Sequence, residues 1–417
     1  MSAPSPEAPP AAGPTLRRSL GLGLLTFYGV GVMIGAGIYV LIGEVAAAAG
    51  AWTPVAFLLA GAAAALTAAS YAELSARRPE AGGEAAYADE AFRSEATTLC
   101  VGLAIVAVGI LSAAAVLQGG VGYLRGVVPV PTTPAVIAIG LALTATAAAG
   151  VAGALRFAAV LTVIEIAGLA LVVAAAFSVE PAPALEIASA EPSGGGGGLA
   201  AAIFLAFFAY IGFEDIVNMA EETRDPVRTV PRAILLAFVI VTAIYVLIAV
   251  VALRAVGPEA LAASERPLAL VAERAVAGGG AVLGAIGVAA ALNGVLAQIV
   301  MAARVLFGLG RRTRALAWAA RVNERFRTPL AATLVCGLIV IALAVAAPVS
   351  DLAAATSLVL LTVFVLMNAA LIVLKRRDAR APAGRPVHPV AGAPDMPLWI
   401  PYLGAAASLA VLLGAAL

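Results

Sequence analysis

The chain has 417 residues, 63% of them apolar and 12% charged, whereas a soluble domain carries about 45–50% apolar and about 25% charged residues. A water-soluble fold of this size still exposes roughly a quarter of its unfolded surface and could not hide that excess, so the composition points to a lipid bilayer. The net charge of +1 leaves no footprint for nucleic acid.

Residues 1–19 are Pro/Ala/Ser-rich and read as a disordered cytoplasmic tail. Arg17 and Arg18 then precede an apolar run that is too long for the core of a secretory signal, which favours an uncleaved first span. Apolar runs near the ~20-residue length that crosses a bilayer fall at 20–43, 52–75, 97–118, 134–151, 157–179, 199–219, 231–253, 279–304, 329–347, 352–374 and 398–417. They are continuous, not alternating, which argues against a transmembrane barrel. The expected fold is therefore an all-α membrane protein with about eleven transmembrane helices. Helices one to five occupy 20–179 and helices six to ten 199–374. A Gly-rich external linker at 180–198 separates them; a cytoplasmic loop at 375–397 and helix eleven at 398–417 follow.

Charge placement orients the array. With the N-terminus inside, 21 of the 25 Lys and Arg fall in inner segments, and only Arg125, Arg254, Arg266 and Arg274 fall outside. That asymmetry is the positive-inside pattern, and a frame shift of one helix would reverse it. A cytoplasmic N-terminus and an external C-terminus are expected, in a plasma membrane of the bacterial inner-membrane type. The inner loop at 76–96 is charged. The arginine-rich stretch at 305–328 reads either as an amphipathic helix on the inner leaflet or as a solvated loop. Cys100 and Cys336 lie far apart inside apolar stretches, make no disulfide framework or metal cluster, and read as small buried hydrophobes. The single histidine, His388, is in a loop, so no histidine relay crosses the membrane. No cofactor or metal is expected.

Two helices carry interruptions. The first contains Gly29, Gly31, Gly35 and Gly37, and the sixth contains Gly212 in Phe208-Ala209-Tyr210-Ile211-Gly212-Phe213-Glu214. Counted from Leu22 and from Leu199, Gly35 and Gly212 both come 13 residues in. Unsatisfied backbone groups cost several kcal/mol each within lipid, and matched interruptions in two halves point to an inverted-repeat transporter site. An unwound turn exposes N–H groups suited to a carboxylate and carbonyl oxygens suited to an ammonium. Either cluster alone would more readily be a small-residue packing surface. The pairing, with a carboxylate beside the second, favours function.

That carboxylate is Glu214, followed by Asp215; an acid near mid-bilayer is a functional candidate by default. Glu165, in the fifth span, has no basic residue near it in sequence. Desolvation favours the neutral form of a carboxyl, which suits reversible protonation, the alternative being a structurally paired acid. Gln118, Asn293 and Gln298 are weaker candidates, since amides in spans commonly bond between helices. Phe208, Tyr210 and Asn293 are candidate pocket walls.

Together these stretches resemble the amino acid–polyamine–organocation superfamily, nearest its cationic-amino-acid-transporter-like bacterial permeases. The resemblance rests on Gly31 to Ile38, on Tyr71-Ala72-Glu73-Leu74 with Pro79 to Gly83, and on Phe208 to Glu214. Glu221 to Pro226 and Pro231-Arg232-Ala233 complete it. It implies a five-plus-five inverted repeat with helices one and six broken, and an amino acid or related small amine as substrate. It further implies that amides of Gly35, Ala36 and Gly37 hold the substrate carboxylate. Carbonyls around Ile34, Phe208, Ala209 and Ile211 would hold the amino group, Phe208 would gate the site, and Glu214 would be a coupling carboxylate.

Three features depart from the family pattern. Glu165 aligns where proton-coupled relatives have a lysine, so H⁺ is the favoured coupling ion and Na⁺ the alternative. Gly310-Arg311-Arg312-Thr313 replaces an inner-loop motif. The eleven spans here are one short of the usual twelve, which bears on whether the protein forms a homodimer. A transport-inactive sensor or scaffold would share the same site features. A channel would want a continuous polar lining, and an enzyme would want a nucleophile–base pair; neither is evident.

Overall fold

The computed structural model describes residues 20–35, 37–79, 83–149, 154–182, 195–323, 328–380 and 392–414. Its helices in chain order are α1 (Leu22–Ile34), α2 (Gly37–Ala49), α3 (Thr53–Arg77), α4 (Gly83–Phe92) and α5 (Glu95–Arg125). Then come α6 (Thr132–Ala149), α7 (Ala154–Ser178), α8 (Gly195–Phe208), α9 (Pro226–Val256) and α10 (Pro258–Ala262). The last five are α11 (Pro267–Ala275), α12 (Gly279–Arg312), α13 (Leu330–Ala346), α14 (Val349–Ala379) and α15 (Trp399–Gly414). Among the described residues each apolar run read from the sequence carries helix, and the chain is an all-α, multi-pass membrane protein.

Length separates whole crossings from halves. At 1.5 Å per residue the 31 residues of α5 reach about 46 Å, more than the ~30 Å hydrocarbon core needs. The 13 residues of α1 and the 13 of α2 reach only about 20 Å each. Neither crosses alone, so the first apolar run is one crossing made of two half-helices. The sixth behaves alike: α8 stops at Phe208, and after a turn the chain continues as a 3-10 segment, Glu214–Glu222.

Local chemistry sets the ends. Pro54 and Pro226 sit in the first turns of α3 and α9, where a missing N–H costs nothing. Ser94 caps α5 by accepting from the Thr97 N–H at 3.3 Å. Small residues then let helices touch. On α6 and α13, a Cβ at Gly337 would lie 2.8 Å from Thr144 Cβ.

The end of the bundle where α1 begins is closed by polar contacts between distant segments. Leu20 N–H donates to the Glu222 carbonyl at 3.0 Å and Arg224 N–H to the Leu20 carbonyl at 2.8 Å, tying the start of α1 to the end of the 3-10 segment. Glu73, fully buried on α3, takes Arg77 and Lys375 each at 2.8 Å and the Met396 N–H at 2.8 Å. Arg77 also reaches Asp378 at 2.6 Å. One turn deeper, Asn368 of α14 accepts from Ser70 at 2.6 Å and donates to Thr67 at 2.9 Å, and Ser408 of α15 lies 3.5 Å from Thr67.

Two readings change. The stretch at 305–328 is no separate amphipathic helix: α12 runs on to Arg312, and the 3-10 segment Arg314–Ala320 folds back on it, its Leu316 carbonyl packed on Gly310. Residues 324–327 of that stretch lie outside the described residues. Cys100 is exposed on α5, not buried; Cys336 is buried. The tail 1–19, His388 and most of the Gly-rich linker fall outside the described residues.

Candidate functional site

The two interruptions touch each other. Gly35 ends α1 at φ 15° and ψ −137°, and α2 restarts at Gly37. A Cβ on Gly37 would sit 3.0 Å from Ala209 Cα. Gly212 adopts φ +120°, a conformation that L side chains rarely adopt, and its Cβ position is 3.1 Å from the Met33 backbone nitrogen. Glycine here is a requirement of close backbone approach at both turns.

A tyrosine holds them together. Tyr245, fully buried on α9, lies with its hydroxyl 2.5 Å from the Met33 carbonyl and 2.8 Å from the Ala209 carbonyl. One hydroxyl thus bridges the end of α1 and the turn after α8. Its ring packs edge-on against Phe57 at 5.9 Å and Tyr210 at 5.4 Å.

Several expected site atoms are already engaged. Gly35 N–H donates to the Gly31 carbonyl at 3.1 Å, so the amides left for an anion begin at the first turn of α2, with Gly37. The Phe208 carbonyl accepts from Ile211 N–H at 3.2 Å, and that of Ala209 from Tyr245. Ile34, Phe208, Ala209 and Ile211 are all buried around the breaks. Ala36 lies outside the described residues. Tyr210 faces away from a ligand role, since its hydroxyl donates to the Phe57 carbonyl at 2.8 Å and its ring stacks on Phe238.

The two candidate coupling acids occupy different surroundings. Glu165 on α7 is fully buried; Oε1 accepts from Asn293 Nδ2 at 3.2 Å, and Oε2 is buried with no partner. Its backbone carbonyl accepts from Tyr39 of α2 at 2.7 Å, so it sits beside the restarted half-helix. One turn earlier, Thr162 lies against Gly31 of α1. Glu214 closes the second break, its Oε2 accepting from the Gly212 N–H at 2.9 Å. Asp215 accepts from Gln298 at 3.4 Å. Gln118 bonds to the Ala344 carbonyl at 3.2 Å, a helix-to-helix contact as expected of amides in lipid.

A sequence profile described as "Amino acid permease" matches residues 20–417. The chain belongs to the amino acid permease family. An uncharacterized transporter of Mycobacterium tuberculosis is 32% identical over 95% of this chain and 89% of its own length. A branched-chain amino acid permease of Bacillus subtilis is 28% identical over 88% of this chain and 83% of its own. A methylthioribose transporter of the same organism is 28% identical over 93% and 88%.

Within this family member, sequence reasoning missed Tyr245 and Tyr39. A tyrosine in an apolar span must find a partner for its hydroxyl, and that signal was present for Tyr245, but nothing in the sequence says which carbonyl it meets. The pairing of Glu165 with Asn293 was equally hidden, because 128 residues separate them.

Proposed function

We propose that the protein is a secondary active transporter of an amino acid or a related small amine, working by alternating access around the paired breaks. The observation that carries this reading is the contact between two interrupted helices, pinned by one buried hydroxyl. Two broken membrane helices leave backbone polar groups at depth, an arrangement that serves where those groups line a binding cavity. The substrate carboxylate is assigned to the amides of Ala36 and Gly37, with Gly35 shaping the turn. The amino group is assigned to the carbonyls of Ile34 and Ile211, with those of Phe208 and Ala209 nearby. Phe208 covers the site and Asn293 lines it.

The energy source is taken to be the proton gradient. Glu165 Oε2 has no hydrogen-bond partner, and it is there that we place the coupling proton, with Asn293 holding the other oxygen. Glu214 acts with it by fixing the Gly212 turn. Na⁺ in place of the proton would need several oxygen ligands. The fold divides as a first repeat, 20–179, and a second, 199–374. The membrane is assigned as a bacterial plasma membrane with the N-terminus in the cytoplasm, and the protein as a possible partner in a homodimer.

A thermal-shift screen of amino acids and polyamines identifies the ligand, since ligand at 100-fold its dissociation constant adds about 2.7 kcal/mol. Uptake into proteoliposomes then decides the class: binding without uptake makes the protein a sensor. Glu165→Gln is expected to abolish pH-gradient-driven uptake while leaving binding in place. Uptake that requires Na⁺, or accumulation by the Gln variant, refutes the proton assignment.

A further inference from the structure

A third acid enters from outside the spans. Glu84 lies in the first turn of α4, in the loop between α3 and α5, yet it is only 4% exposed. Its Oε1 accepts from Tyr71 of α3 at 3.3 Å. The start of α4 is pressed onto the 3-10 segment: Gly83 adopts φ +38°, and a Cβ there would meet Val217 Cγ2 at 2.9 Å. Glu84 interacts electrostatically with Asp215, and Glu214 with both. Three carboxyls from two separate elements therefore converge below the second break.

Among the described residues no ion pair forms at Glu84, Glu214 or Asp215. Arg304 of α12 acts on Tyr28 of α1 together with Asp215, and the following basic groups are committed elsewhere. Arg77 of α3 holds Glu73 and Asp378, and Lys375 of α14 holds Glu73 and Asp395. Arg377 of α14 donates to the carbonyls of Glu90 and Ala91 at the far end of α4. Arg78 faces Glu90 at 3.8 Å. On α5, Glu95 accepts from Thr313 at 3.4 Å and Arg125 pairs with Glu265 at 3.0 Å. Nor are the acids placed as metal ligands, since no group of three or more such side chains among the described residues is arranged to hold an ion.

A second observation points to what is missing. Gln298 directs its NH₂ at Asp215, while its own Oε1, on the same 6%-exposed side chain, is buried without any donor. Amide ends are exchanged by a simple flip. A protonated carboxyl at Asp215 would donate to that oxygen and satisfy it. The cluster has the acceptors for a proton.

We propose that Glu84, with Glu214 and Asp215, forms a second proton-binding site, and that its occupancy holds α4 docked against the broken sixth helix. Glu84 is the member that exchanges with the cytoplasm: it releases its proton to water there and leaves as a carboxylate when α4 undocks. The inference rests on the transport reading and its orientation for its purpose, which is to open the inner face once the proton has been delivered. Burial pushes the Glu84 carboxyl up to about 7. An undocked, exposed Glu sits near 4.5. Docking keeps the proton and undocking loses it, so docking is strongest in acid and weakens as pH rises toward 7, by about tenfold per pH unit.

The test uses the full chain in lipid nanodiscs and needs no substrate, so its failure and a failure of the transport reading are separable. Hydrogen–deuterium exchange of residues 83–92, corrected for intrinsic rates, is followed between about pH 5.5 and 8.5. Infrared spectra over the same range follow the protonated-carboxyl band. Protection is expected to fall about tenfold per pH unit up to about pH 7, with loss of the band. Glu84→Gln, neutral and nearly isosteric, is expected to hold α4 protected at every pH and to reduce the band change by one carboxyl's share. Glu84→Asp is expected to keep both responses. Equal pH profiles in wild type and Glu84→Gln, or no band loss in wild type, overturn the proposal.

Discussion

Tyr245→Phe isolates the bridge between the two breaks. The ring keeps its contacts with Phe57 and Tyr210, so only the hydroxyl is lost. Both carbonyls it serves belong to buried residues, Met33 at 2% exposure and Ala209 at 1%. A hydroxyl has one proton, so at any moment one carbonyl receives it and the other makes a weaker contact. Removing it strands at least one buried acceptor, which costs about 1–3 kcal/mol. If the turns must be ordered for substrate to bind, that cost reappears at binding. At 1.4 kcal/mol per tenfold, the dissociation constant rises roughly fivefold to 150-fold. Calorimetry or ligand-dependent thermal shift on the purified variant measures it, alongside the melting temperature without ligand. A dissociation constant within twofold of wild type, in a variant that is destabilised, would show that the hydroxyl serves folding alone and that the bridged turns are not the site.

Gly35→Leu puts a side chain at the end of α1, where a Cβ would lie 3.1 Å from the Val32 carbonyl oxygen; binding is expected to be lost while membrane insertion persists, and normal binding would remove Gly35 from the site. A cysteine tag placed after Leu417 is expected to react with an impermeant thiol reagent only from the external side. Labelling from the cytoplasmic side alone would refute the eleven-span count.

How far the site was legible depends on the kind of residue involved. Gly35 and Gly212 stand out within apolar runs because glycine is costly in a helix interior, and the chain does break at both. Glu165 stood out because acids are rare in lipid, but the identity of its partner, Asn293 on α12, is a tertiary fact. Glu84 was unreadable in a different way. In a charged inner loop an acid reads as solvated, and nothing local shows that Gly83 presses α4 into the bundle. The arginines near 311–314 misled for the opposite reason: basic residues beyond a span look like the start of a new surface element, whereas α12 simply continues to Arg312.

The polar seam on α3 also sets a problem of timing during synthesis. Ser70, Thr67 and Glu73 find their partners on Asn368 and Lys375, 298, 301 and 302 residues later in the chain. At about 5–20 residues per second, ribosomes need roughly 15–60 s to deliver α14 after α3 has left the exit tunnel. During that interval α3 holds near lipid two hydroxyls and a carboxylate whose only partner so far is its own Arg77. The early helix therefore has to wait at the insertion machinery, or at the headgroup boundary, until the late ones arrive. Truncated nascent chains that stop short of α14 should be the form most readily recognised by membrane quality-control proteases.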